Sequence, residues 1–129
     1  MEFIDLGLPS GTLWKAENEE GFYTFNDAVE KYGDSMPTKE QWEELKYKCK
    51  WEWNGNGYDV EGPNGNSITL PVAGLRDCVG YVDFVDSDGL YWSSTPDGLD
   101  YAWDIFFNSD SVYIGSDGRH NGLSVRLVK

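Results

Sequence analysis

The stretch that decides the fold is YWSSTPDGLDYAWDIFFNSDSVYIGSDGRHNGLSVRLVK, residues 91–129. Between Tyr101 and Asn108, the side chains of Tyr101, Trp103, Ile105 and Phe107 share one parity, and those of Ala102, Asp104, Phe106 and Asn108 share the other. Successive strand residues point to opposite faces, so the first set is expected to build a core and the second to be displayed. Asn108-Ser109-Asp110 reads as a turn, after which Val112 and Ile114 continue the core face while Tyr113 and Gly115 point the other way. Ser116-Asp117-Gly118 predicts a hairpin bend. Leu123 to Val128 predicts a last strand with Leu123, Val125 and Leu127 together.

Outward from this stretch, the rest of the chain reads as short strands and two helices. Phe3 to Leu8 and Thr12 to Trp14 flank the turn Pro9-Ser10-Gly11. Thr24 or Asn26 can cap a helix over residues 27–32, with Ala28, Val29 and Tyr32 inward and Gly33 as its stop. A stronger helix follows Pro37, where Thr38 and Gln41 form a capping box and Trp42, Leu45 and Cys49 fall at helical spacing. Trp51 and Trp53, then Tyr58 and Val60, alternate about Asn54-Gly55-Asn56-Gly57 and predict a hairpin. Residues 77–90 form an Asp- and Gly-rich connection. Asp83, Asp86 and Asp88 lack the alternating donors and terminal Glu of a calcium loop, so no metal is expected there.

A chain of 129 residues with 40% hydrophobic content supports one domain, residues 1–129. Its net charge of -13 repels phosphate backbones and anionic lipid, so nucleic acid is not an expected partner. No apolar run approaches the roughly 20 residues of a spanning helix, and membrane insertion is not expected. No basic-then-apolar leader is visible in this chain. Cys49 and Cys78 are too few for a disulfide scaffold and do not have metal or redox-pair spacing, which favours two isolated thiols; a single bridge stays open.

Several motifs together carry a resemblance. Asp5 to Trp14 (DLGLPSGTLW), Met36 to Trp42 (MPTKEQW), Gly62 to Ile68 (GPNGNSI), Tyr91 to Thr95 (YWSST), the Phe107 to Val112 turn and the Arg119 to Arg126 ending (RHNGLSVR) resemble the "major paralogous" domain of gut and rumen bacteria. That family has a C-type lectin fold related to the formylglycine-generating enzymes. Some members resemble the variable proteins of diversity-generating retroelements, in which adenine-directed mutagenesis rewrites surface codons near the C-terminus. The resemblance implies an α+β fold of the C-type lectin type, with two helices packed on a small twisted antiparallel sheet, long loops, and a first strand lying beside the last. It also implies a location at the cell surface, in a secreted form, or on a phage tail. Residues 91–128 contain no Glu, Gln, Lys or Met, which is compatible with adenine-directed diversification; strands avoid Glu and Lys in any case.

Catalysis is not expected. His120 is the lone histidine and has no orienting partner visible in the sequence. The late cysteine pair of formylglycine-generating enzymes is missing from residues 79–129, and Asp97 with Asp100 leaves an acid/base pair only as a minor alternative. Arg119 and Arg126 are expected to pair with carboxylates and fix loops. No cofactor is expected.

The favoured reading is a non-enzymatic module that binds a protein or glycan through a mixed aromatic and polar surface. Strand alternation places Asp104, Phe106 and Tyr113 on that surface, and bends bring Asp97, Leu99, Tyr101, Ser116, Asp117, His120 and Asn121 near them. The alternatives are a structural or assembly component of a bacterial surface appendage or lipoprotein, which leaves self-association open, and an ordinary solvated sheet face.

Overall fold

In the computed structural model, which describes residues 2–129, the chain opens with a short antiparallel pair, Phe3–Asp5 (β1) and Leu13–Lys15 (β2). Thr24 then caps the helix Phe25–Tyr32 (α1), its Oγ1 accepting from Asp27 N at 3.2 Å. Gly33 stops that helix at φ 49°, a conformation that favours glycine, and leads into a 3-10 turn, Gly33–Ser35. The second helix, Lys39–Lys48 (α2), carries the expected capping box: Gln41 N donates to Thr38 Oγ1 at 3.1 Å, and Thr38 N donates to Gln41 Oε1 at 2.8 Å. Trp42 and Leu45 form its buried face.

The meander Lys50–Trp53 (β3), Gly57–Glu61 (β4) and Ser67–Pro71 (β5) follows, and then the small pair Leu75–Arg76 (β6) and Val82–Asp83 (β7). The longest strands come last: Gly89–Asp97 (β8), Tyr101–Phe107 (β9) and Val112–Gly118 (β10), in the order β10-β9-β8.

The strands form four separate sheets, and strand accounts for 41% of the chain against 16% for helix. The expected α+β C-type lectin fold, with two helices on one small sheet, is therefore corrected to a β-rich architecture. The reason lies in the punctuation of the chain. Tight turns such as Pro9-Ser10-Gly11 and Asn54 to Gly57 return each short strand onto its immediate neighbour, so no larger sheet grows.

The β8–β10 sheet is packed on both faces. Tyr91, Ile105 and Phe107 point into one cluster with Trp14, Trp42, Leu45 and the inner residues of β4 and β5. Leu90, Trp92 and Ala102 point into the other, with Phe25, Ala28, Met36 and the C-terminal Leu123, Val125 and Leu127. The indole N–H of Trp42 donates to Trp92 O at 3.2 Å and ties the two clusters together, while that of Trp92 donates to Tyr23 O at 2.7 Å within the second.

Three sequence expectations are corrected in this sheet, the first by its double covering. Asp104 is not displayed: it is 1% exposed, because its parity faces the second cluster and not water. Trp103 belongs to neither cluster and is half-buried, with the Lys39 ammonium 4.1 Å from its ring centroid. Ser116 to Gly118 is not a bend, since β10 runs straight through it and pairs with Tyr101 to Trp103.

The end of the chain also departs from the expectation of a strand. Leu123 to Val128 is buried throughout yet makes only isolated bridges, Tyr23 with Leu123, Tyr91 with Ser124, and Trp14 with Val128. The terminus lies beside the second strand, β2, and not beside the first as expected: Leu13 N donates to Lys129 O at 3.0 Å, and Lys129 N returns the bond at 2.9 Å. Arg126 is fixed inside by carbonyls and an amide, and not by a carboxylate. Its Nη1 reaches Lys15 O at 2.9 Å, Nη2 reaches Thr69 O at 2.6 Å, and Nε and Nη2 both donate to Asn18 Oδ1. Cys49 and Cys78 are free thiols, and no helix is long and apolar enough to cross a membrane among the described residues.

Candidate functional site

At the outer end of β8–β10 two turns meet the start of α1. The turn Gly98 to Asp100 joins β8 to β9, and the chain leaves β10 through Arg119, His120 and Asn121. Arg119 stitches these elements together. Its Nη2 donates to Gly98 O at 2.6 Å and its Nε to Tyr101 O at 3.0 Å. Its backbone N–H donates to Asp100 O at 2.9 Å, its carbonyl accepts from Phe25 N at 2.9 Å, and its guanidinium lies 5.0 Å from the Phe25 ring centroid. As with Arg126, these partners are carbonyls, which corrects the expected pairing of Arg119 with carboxylates. A guanidinium fills such a role well because its planar donors satisfy backbone oxygens at fixed angles.

Between these elements opens a cleft of about 410 Å³ lined by Thr24, Asn26, Leu99, Asp100, Arg119 and His120. Five of its six lining residues are polar, and the sixth, Leu99, is 91% exposed. Arg119 spends two of its roughly five N–H donors on Gly98 and Tyr101, leaving the rest for a ligand. The walls are held by backbone hydrogen bonds, so a ligand meets a shape that is already formed and loses little to ordering it.

The ten residues picked from the sequence divide into four groups. Leu99 and His120 line this cleft, and Asn121 follows in the same turn, its N–H donating to Gly118 O at 3.1 Å. Asp97 and Tyr101 are directly paired across β8 and β9, and Ser116 pairs with Trp103, which places all three on the parity of Trp103. Tyr101 is 53% exposed, so at the end of the hairpin its parity does not bury it.

Phe106 and Tyr113 are directly paired on the opposite face. Their rings stack with centroids 4.9 Å apart and planes 15° apart, Tyr113 exposed and Phe106 half-buried against the second cluster. Asp104 and Asp117 share that face. Neither oxygen of Asp104 reaches a partner at normal hydrogen-bond length, and burial, reinforced by hydrogen bonding at longer range to the Asp117 carboxylate and by its charge, pushes the carboxyl up to about 10.

The ten residues therefore do not form one surface: they occupy both faces of the sheet and its end, with Asp104 inside. Thr24, Asn26, Asp100 and Arg119 are the cleft residues that the sequence reading left out. Arg119 carries no signal of the cleft in the sequence, because the residues before it read as a bend and not as the end of β10; Thr24 reads only as a cap. Among the described residues no group of three or more acidic, His or Cys side chains is placed to hold a metal ion.

Fold and site together define a β-rich scaffold that presents a pre-formed polar cleft with an apolar lip at the end of a hairpin. The chain belongs to the family described as Domain of unknown function (DUF8237), whose model matches residues 38–128. No curated protein and no solved structure matches the chain.

Proposed function

We propose that this protein is a non-enzymatic binding module that recognises a protein or glycan ligand at the hairpin-end cleft. The observation that carries the reading is the cleft's construction. Arg119 fixes both turns through backbone oxygens, while the side chains of Asn26, Leu99 and His120 make no hydrogen bond that the fold needs. Rigid walls with adaptable polar groups and an exposed Leu99 and Tyr101 match the composition of recognition surfaces, in which a few anchors supply most of the affinity. Exposure on a cell surface or a phage tail, and diversification of the codons for residues 95–126 by a retroelement, extend the same proposal. A reverse transcriptase beside the gene, with a near-copy of that segment differing chiefly at adenines, would support the diversification.

Screening the labelled chain against immobilised glycans and a peptide-display library tests the binding itself. A ligand is expected whose affinity falls at least about tenfold in Leu99→Ser and in Asn26→Ala, at unchanged unfolding midpoints. Ligands that bind both variants as well as the parent would move the site elsewhere. No ligand in either screen, from a chain that sediments as an oligomer burying Leu99, would replace this reading with a structural role in assembly.

A further inference from the structure

Away from the cleft, the segment from Asp77 to Asp88 carries an apolar surface that the fold does not use. Val79, Tyr81, Val82, Phe84 and Val85 are all exposed, with Val79 at 73%, Tyr81 at 71% and Phe84 at 57%. Single exposed apolar residues are ordinary; five within seven positions concentrate exposed apolar surface in one segment, as interaction surfaces do.

The segment is nonetheless built. Asp77 Oδ1 accepts from Val79 N at 3.0 Å and Tyr81 N at 2.9 Å, and Asp77 N donates to Tyr81 O at 2.8 Å. Phe84 O accepts from Ser87 N at 3.2 Å and Asp88 N at 3.0 Å. Gly74 lies so close under Asp83 and Phe84 that a Cβ there would meet their backbone, and its N–H donates to Asp88 O at 2.9 Å. Phe84 itself is held at φ 60°, the one positive φ of a non-glycine among the described residues, a costly conformation for an aromatic side chain. The backbone is thus satisfied internally while bulky apolar side chains, one of them on strained backbone, are presented to solvent.

We propose that residues 77–88 form a docking tongue for a second protein whose contact surface is apolar at its centre and bordered by lysine and arginine. Charge complementarity fixes that chemistry. Asp77, Asp83, Asp86 and Asp88 flank and interleave the apolar residues along the segment, Arg76 is the lone cation nearby in sequence, and the whole chain carries -13. A second copy would bring the same acidic residues against these, and anionic lipid would be repelled for the same reason. The tongue lies outside the cleft's lining, so this proposal stands whether or not the cleft binds a ligand.

The test uses the full chain, isotope-labelled, titrated with an amphipathic peptide of leucine and lysine, and in parallel with its leucine and glutamate counterpart. The basic peptide is expected to give saturable shifts confined to residues 77–88, weakened by added salt, and the acidic one none. Tyr81→Ser, and separately Phe84→Gly, should weaken binding about tenfold without lowering the unfolding midpoint. Shifts spread over the acidic outer face of β3–β5 at Glu52, Asp59 and Glu61 would reduce the interaction to net charge and overturn the proposal. Equal binding of the acidic peptide, binding to phosphatidylcholine and phosphatidylglycerol vesicles through the tongue, or self-association abolished by Tyr81→Ser would overturn it in favour of those occupants.

Discussion

Asp104 is the residue at which this structure is under most electrostatic tension. A carboxyl with neither oxygen at normal hydrogen-bond length from a partner, buried between Trp92 and Gly115 and facing the Asp117 carboxylate, is pushed up to about 10 and stays protonated in the folded chain below that pH. In the unfolded chain the same group ionises near the ordinary carboxylate value of about 3.9. Between those limits the folded state binds the extra proton. The stability tied to this group is therefore fully present below about pH 4 and is lost as pH rises toward about 10. Asp104→Asn removes the ionisation while preserving shape, so it is expected to raise stability at pH 8 by on the order of 1–3 kcal/mol and to flatten the alkaline decline. Denaturant titrations of both proteins at pH 5 and pH 8 check this. A variant less stable than the parent at both pH values would mean that the carboxyl is anionic and held by a partner.

At the scale of elements, the local signals were legible and the tertiary ones were not. The caps at Thr24 and Thr38, the β3–β4 hairpin and the Asn108 turn follow from side chains bonding to backbone a few residues away, and the stop at Gly33 follows from its positive φ, with its own N–H bonded to Val29 O. Thr38→Ala removes one arm of the capping box and is expected to cost about 0.5–2 kcal/mol, read as a lower urea midpoint at unchanged slope. Alternation in β9 correctly placed Ile105 and Phe107 inside, and it correctly put Phe106 beside Tyr113 across the β9–β10 pair. It failed at Asp104 because parity states only which residues share a face, and here both faces are covered. A single sheet was expected because strand count says nothing about which strands join, and the turns close these strands pairwise and in threes. Of the cleft, Leu99 and His120 were visible as turn residues. Thr24 and Asn26 were not, since sequence carries no sign that the start of α1 meets a turn some ninety residues later.

For the molecule as a whole, an excess of thirteen acidic charges works against compactness. The described residues contain a single ion pair, Lys15 with Glu19, so little of that repulsion is offset locally. Screening should relieve it. Raising sodium chloride from about 20 to about 500 mM, which shortens the Debye length from roughly 20 Å to about 4 Å, is expected to raise the thermal midpoint by roughly 2–5 °C. A midpoint that falls with salt would mean that attractive pairs outweigh the excess.

The buried segment from Leu123 to Val128 also bears on how quickly the chain can organise. It contacts β2, Tyr23 and β8 at once, from Ser124 on Tyr91 of β8 to Val128 on Trp14 of β2 at the far end of the chain, and it makes no pair with its own neighbours in sequence. Contacts of such long range are reached slowly, after the hairpins that need only short loops have closed, and proteins dominated by them fold in milliseconds to seconds. Val125→Ala is accordingly expected to speed unfolding by on the order of tenfold in stopped-flow traces and to leave the refolding rate nearly unchanged. The last segment would then act as a latch, setting the lifetime of the native state and leaving the pace of its formation to the hairpins.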